Sequence, residues 1–196
     1  LGISVFATGG IGGVHRGAEN SFDISQDLSA LAKIPMIVVS AGAKAILDLP
    51  KTVEMMEALG INVVGYKTNE FPAFYSRKSG VLGIHPVGSD LEIANIYKAN
   101  IYSCISSAIL VANPVPKNDE IPNQEIESII NSSCQAAKTQ NIIGKELTPF
   151  LLKDILDKTS GRSLKTNRAL AMNNIKLGAG IAKKLAQSKD VPSDAP

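Results

Sequence analysis

Pro35-Met36-Ile37-Val38-Val39-Ser40-Ala41-Gly42-Ala43-Lys44 is the stretch on which the architecture turns. Residues 35–40 run apolar without the alternation of a half-exposed strand, so they predict a strand buried on both faces. Upstream, residues 2–7 read as a second such strand, ending at the turn Thr8-Gly9-Gly10. Between the two, residues 9–20 read as a glycine-rich loop, and residues 25–32 as a short helix with Leu28 and Leu31 on one face. Downstream, residues 50–59 predict a helix with Pro50 in its first turn and Gly60 after its end. Residues 61–64 predict a third buried strand. Strand, loop-helix, strand, helix, strand is the order of parallel βαβ units, and the expected fold is α/β, a three-layer α/β/α with a mostly parallel central sheet.

The rest of the chain extends the pattern. Residues 66–88, rich in Gly, Pro, Ser and aromatics, predict a long loop or flap. Helices are expected over 90–100, over 123–139 with Ile126, Ile129, Ile130 and Cys134 in one stripe, and over 148–158 with Phe150, Leu151 and Leu156 inward. A long last helix is expected over 164–189, and a further strand over 109–113, stopped by Pro114. One domain therefore spans 1–189, and 190–196 read as a polar tail or linker. The opening strand, without an initial Met, predicts a fragment of a larger protein.

Composition narrows the function classes. The 196 residues are 44% hydrophobic and only 5% aromatic, so the core must be Ile, Leu, Val and Ala. With 20 basic and 18 acidic residues and no basic run, no nucleic-acid surface is expected, because a polyanion requires clustered Lys and Arg. A single small phosphate needs only a few donors. No segment approaches the roughly 20 apolar residues that span a bilayer, so no membrane partner is expected. Cys104 and Cys134, without close spacing, read as buried thiols in a reducing compartment, which predicts an intracellular protein, cytoplasmic first with an organelle as the alternative.

Three constellations can carry chemistry. In Thr8-Gly9-Gly10-Ile11-Gly12-Gly13-Val14-His15-Arg16-Gly17, glycines let backbone approach a ligand at the carboxyl end of a strand, though the same run also makes a tight turn. It has neither the Gly-Lys-Ser/Thr of a phosphate loop nor a clean dinucleotide fingerprint. In Phe22-Asp23-Ile24-Ser25-Gln26-Asp27, the acids and the hydroxyl serve as a helix cap, and they can also offer oxygens to a hard cation. Lys44, after a strand and a turn of small residues, is either a surface lysine or an amine. Burial penalises an ammonium, and a neutral amine can attack a sugar carbon to form an imine. Weaker signals are Asn167, Asn173 and Asn174 inside a helix, His85, which reads as a loop residue, and the aromatic run from Glu70 to Phe74.

Taken together, these segments resemble the pseudouridine-5′-phosphate glycosidases of the indigoidine synthase A-like family. The resemblance is carried by residues 6–18, by Phe22-Asp23-Ile24-Ser25 with Asp27-Leu28, and by Ala41-Gly42-Ala43-Lys44 with Ile46-Leu47-Asp48. Val64-Gly65-Tyr66 with Thr68, residues 71–74, 111–114 and 143–152, and Ser163-Leu164-Lys165 with Asn167 continue it, so that it covers about residues 5–185. It implies reversible cleavage of the C–C glycosidic bond of pseudouridine 5′-phosphate to uracil and ribose 5-phosphate. By the same resemblance Lys44 is the imine-forming nucleophile, Asp23 holds Mn²⁺ largely through water, and Ser25, Gln26 and Asp27 line the substrate. His15 and Asn167 belong to the pocket, and the assembly is a homotrimer. Gln26 stands where the family commonly has Ala. The family's proton-donating Glu and a further substrate-binding Lys lie in a region before the glycine-rich loop, so full activity is expected of a longer protein. Two other readings stay open here: a non-catalytic or degenerate fragment that binds sugar phosphate, and a different imine-forming enzyme such as an aldolase.

Overall fold

The structure, a computed structural model, describes residues 2–187. The predicted tail at 190–196 and the last two residues of the predicted final helix lie outside the described residues. Five strands, β1 (Val5–Ala7), β2 (Ile37–Ser40), β3 (Asn62–Tyr66), β4 (His85–Val87) and β5 (Ile109–Ala112), form one sheet in the order β1-β2-β5-β3-β4. Every neighbouring pair is parallel. The helices are α1 (Ala18–Ser21), α2 (Gln26–Leu31), α3 (Leu49–Ala58), α4 (Asp90–Tyr102), α5 (Asn123–Thr139), α6 (Leu147–Lys158) and α7 (Arg162–Gln187).

Register explains why the central strands lack polar alternation. Val38, Leu110 and Val63 form one row across β2, β5 and β3, and Val39, Val111 and Val64 form the next. Successive side chains point to opposite faces, so one row packs under α2, α3, α5 and α6, and the other under α4 and the second half of α7. The sheet is thus covered on both sides, as the α/β/α expectation requires. Chain direction accounts for which helix lies where. The connections from β1 to β2 and from β2 to β3 move the same way across the sheet, and right-handed crossovers put α2 and α3 on one face. The return from β4 to β5 reverses direction, and α4 lies on the other face.

α7 closes the fold over both rows, with Leu170 in the first cluster and Leu177 and Ile181 in the second. Gly178 lets it approach β1: a Cβ there would sit 3.3 Å from that of Ala7. One turn earlier, the fully buried Asn174 donates from Nδ2 to the Thr8 carbonyl at 2.8 Å and accepts from Asn113 Nδ2 at 2.9 Å. A buried amide needs such partners, because leaving it unpaired costs about 1–3 kcal/mol.

Several expectations are corrected. The 66–88 segment is not a flap. Residues 71–76 are buried, with Phe71 wholly enclosed, and the segment ends in the edge strand β4, which contains His85. β4 escaped notice because it is three residues long and contains Pro86, which only an edge strand tolerates. The residues read as loop through 20 include the short helix α1. Cys104 is exposed, in a left-handed turn after α4 (φ 54°), and not buried; Cys134 is half-buried. On α6 the buried residues are Leu151 and Ile155, while Phe150 and Leu156 are only partly covered. Among the described residues no helix is long and apolar enough to cross a membrane.

Candidate functional site

The glycine-rich loop leaves β1 and runs alongside the residues that follow β2. Ile11 donates from its amide to the Gly42 carbonyl, Lys44 donates back to the Ile11 carbonyl, and Asp48 donates to that of Val14, at 2.9–3.0 Å. The loop is therefore an extension of the sheet beyond the strands. Its glycines are required by what occupies the space of their missing side chains. A Cβ on Gly12 would collide with the Ser25 hydroxyl, and one on Gly13 would lie 2.5 Å from Thr52. A Cβ on Gly10 would lie 2.6 Å from the Phe74 ring, and Gly42, at φ 85°, would meet the Pro72 carbonyl.

These close approaches order the polar residues. Ser25 caps α2, its hydroxyl accepting from the Asp27 amide at 3.2 Å, as a helix start demands. Asp27, in the first turn, accepts from the Gly12 amide through Oδ2 at 2.7 Å. Asp27 and Lys44 both line a cavity of about 370 Å³ between β1, β2 and α2. Phe6, Ala30, Leu31, Ile34, Met36 and Val38 form its apolar wall. Lys44 is half-buried, and no carboxylate among the described residues forms an ion pair with it. The geometry offers an amine at the polar end of an apolar cavity, with a carboxylate on the same wall.

The other sequence-predicted residues do not line the cavity. His15 Nδ1 stands 3.8 Å from Asp23 Oδ2, and the His15 amide donates to the Asp23 carbonyl. Asn167 Oδ1 reaches over Gly9, 3.2 Å from where a Cβ would be. Gln26 is exposed at the start of α2. As a metal ligand Asp23 would act alone. No group of three His, Cys, Asp or Glu side chains that could hold an ion occurs among the described residues, and the Asp23 side chain is 44% exposed. That donor set fits an ion held by one carboxylate oxygen with water in the remaining positions, and does not fit a dry cage.

Two further residues complete the frame: Thr52, which the sequence reading passed over, and Arg16, which it noted as part of the glycine-rich loop. Thr52, buried inside α3, accepts from the Val14 amide at 3.0 Å and donates to the Asp48 carbonyl at 2.7 Å. Arg16 turns away from the cavity and makes a two-pronged ion pair with Glu127 of α5. Burial works against the Arg16 charge, but the hydrogen bond and charge of Glu127 outweigh it and hold the guanidinium pKa above its ordinary value.

A parallel sheet covered on both faces, with a glycine-rich loop and a cavity-facing lysine beyond its strands, defines a class of α/β protein whose ligands meet the carboxyl ends of the strands. The chain belongs to the family of indigoidine synthase A like proteins, whose model matches residues 1–184. A pseudouridine-5′-phosphate glycosidase of Mesorhizobium japonicum is 53% identical over 185 residues, covering 94% of this chain and 61% of that protein. One from Methylobacterium nodulans is 52% identical, covering 92% and 54%. Among solved structures, an indigoidine synthase A-like protein of Thermotoga maritima superposes with a TM-score of 0.86 at 42% identity, covering 95% of this chain and 61% of that one. The prealnumycin C-glycosynthase AlnA, crystallised with ribulose 5-phosphate, superposes at 0.89 with 31% identity, covering 94% and 61%. The chain spans about 54–61% of the length of these curated relatives.

Proposed function

We propose that this chain carries the imine-forming half of a pseudouridine-5′-phosphate glycosidase, which reversibly cleaves the C–C glycosidic bond to give uracil and ribose 5-phosphate. The observation that carries the reading is Lys44, an amine without a carboxylate partner that faces an apolar cavity together with Asp27. Relatives about half identical bear the glycosidase name, and a structural neighbour that is a C-glycosynthase was crystallised with a pentose phosphate. The non-catalytic alternative is not favoured by such company.

The carbon leaving group takes the C1′–C5 electron pair with it, so C1′ is left electron-deficient and needs a donor, which an amine bonded to C1′ supplies by forming an imine. Lys44 Nζ attacks C1′ as the C1′–O4′ bond breaks and O4′ takes a proton, which opens the ribose ring. The C1′–C5 bond then breaks. Its electron pair stays with uracil, whose C5 is protonated, while the Lys44 nitrogen lone pair forms the C1′=N imine. Water adds to that imine and releases ribose 5-phosphate and the free amine. The proton donor, by the family resemblance a Glu on the N-terminal side of the glycine-rich loop, belongs to the longer protein.

Around this centre Asp27 and Ser25, fixed by the loop and the α2 cap, hold ribose hydroxyls, and exposed Gln26 meets the substrate's outer part. His15 and Asn167 border the same loop. Asp23 would hold Mn²⁺ largely through water, and the ion would supply positive charge to offset the phosphate. A homotrimeric assembly and a cytoplasmic location belong to the same proposal, the latter supported by two unbridged cysteines. The test is reduction with borohydride in the presence of ribose 5-phosphate, using the full-length protein. Mass spectrometry is expected to find a pentitol phosphate adduct on Lys44, absent after Lys44→Arg. An unmodified Lys44 in an otherwise folded protein refutes the imine.

A further inference from the structure

Arg16 was conspicuous in the sequence, and the reaction above leaves it without a task. A guanidinium has five N–H donors and no acceptor. In this structure all five are used. Nε donates to the Leu47 carbonyl at 3.3 Å and Nη2 to the Ala45 carbonyl at 3.2 Å. Nη2 also donates to Glu127 Oε1 at 2.9 Å, while Nη1 donates to Glu127 Oε2 and to Asn131 Oδ1, each at 3.0 Å. No donor remains for a phosphate, so a direct role in holding the substrate's anion is not what this arrangement provides.

The two carbonyls it grips belong to one turn. The Leu47 amide donates to the Lys44 carbonyl at 3.0 Å, making residues 44–47 a tight turn that begins at the amine-bearing residue. The glycine-rich loop ties the turn down at its ends, through Lys44 to Ile11 and Asp48 to Val14. Between those ends, the carbonyls of Ala45 and Leu47 are fixed by Arg16, which is itself seated on Glu127 and Asn131 of α5. We propose that Arg16 is a positioning residue that anchors the Lys44 turn to α5 and so sets the direction in which the Lys44 amine enters the cavity. This rests on the reading of Lys44 as the imine-forming amine. The planar fork is what the task requires. A lysine at position 16 keeps the charge but has three donors on one freely turning centre, and cannot span two turn carbonyls and a carboxylate together.

The test compares Arg16→Lys with the unaltered full-length protein in two measurements. The first needs no substrate. Lys44 is labelled by limited reductive methylation, and its rate is read by peptide mass spectrometry against exposed Lys33 and Lys176 as internal standards. Arg16→Lys is expected to change the Lys44 rate at least about fivefold and leave the standards alone. The second is the condensation of uracil with ribose 5-phosphate, where kcat is expected to fall by about tenfold or more with KM for ribose 5-phosphate within about threefold. An unchanged Lys44 labelling rate with unchanged kcat overturns the proposal. A raised KM at constant kcat also overturns it, by assigning Arg16 to phosphate binding. If Arg16→Lys does not give a cooperative melt, Glu127→Gln and Asn131→Ala, which loosen the seat of Arg16 without removing it, carry the same two measurements. Should the unaltered protein form no imine with ribose 5-phosphate, the functional reading fails, and the labelling comparison still decides the role of Arg16.

Discussion

Residues 9–17 and residues 67–84 both follow a parallel strand and neither forms a helix, yet the first holds five glycines and the second buries three aromatic rings. The two are complementary. The Phe74 ring occupies the space a side chain at Gly10 would need, and the Pro72 carbonyl does the same at Gly42. The Phe74 amide also donates to the Ala41 carbonyl at 3.1 Å. Glycine here does not mean freedom of movement. The backbone is held by rings, caps and hydroxyls lent from other elements, and the aromatic segment supplies the solid wall behind the glycine-rich loop.

That contrast can be broken from either side. The largest effect is expected from Phe71→Ala, which removes a ring with no exposure. Urea unfolding should show a loss of about 3–5 kcal/mol. A loss below about 1 kcal/mol would mean that the aromatic segment is a loose cover after all. Gly10→Ala should cost about 1–3 kcal/mol, because its methyl overpacks the Phe74 ring. Phe74→Leu combined with Gly10→Ala should cost less than the sum of the two single changes, and strict additivity in that cycle would separate the two segments.

A smaller effect is expected at Tyr75, whose hydroxyl burial pushes up to about 12 from an ordinary 10.0, with a hydrogen bond to Ser163 working the other way. The folded form resists losing this proton. Its contribution to stability is therefore complete below about pH 10 and is lost as pH rises through about 12. Thermal melts should fall over that window, and more steeply than those of Tyr75→Phe.

The sequence made the sheet legible wherever burial was complete. The apolar runs of β2 and β5 leave no other reading, and α3 begins and ends near where Pro50 and Gly60 suggest. β4 was not legible, because two of its three residues are exposed and one is proline. The aromatic segment left both a flap and simple packing open, because aromatic side chains near glycines and prolines look the same in a lid as in a wall. In the candidate site, Lys44, Asp27 and Ser25 could be picked out because their chemistry is local to short stretches. The task of Arg16 could not, since it depends on Glu127, 111 residues away, and on carbonyls that any residue could offer. Asn174 likewise looks mildly unfavourable in a helix until Thr8 and Asn113 are brought against it.

That asparagine also bears on the order in which the molecule can assemble. Asn174 and the Thr8 carbonyl it caps are separated by 166 positions, and among the described residues β1 has β2 as its single neighbour in the sheet. A ribosome delivers residue 8 long before residue 174, so β1 waits for a helix made 166 positions later. Pairings of such separation are slow to close and leave strand edges exposed meanwhile. The emergence of α7 is therefore the event that locks the glycine-rich loop, and nascent chains that stop before residue 174 should hold the loop's amides open to hydrogen exchange.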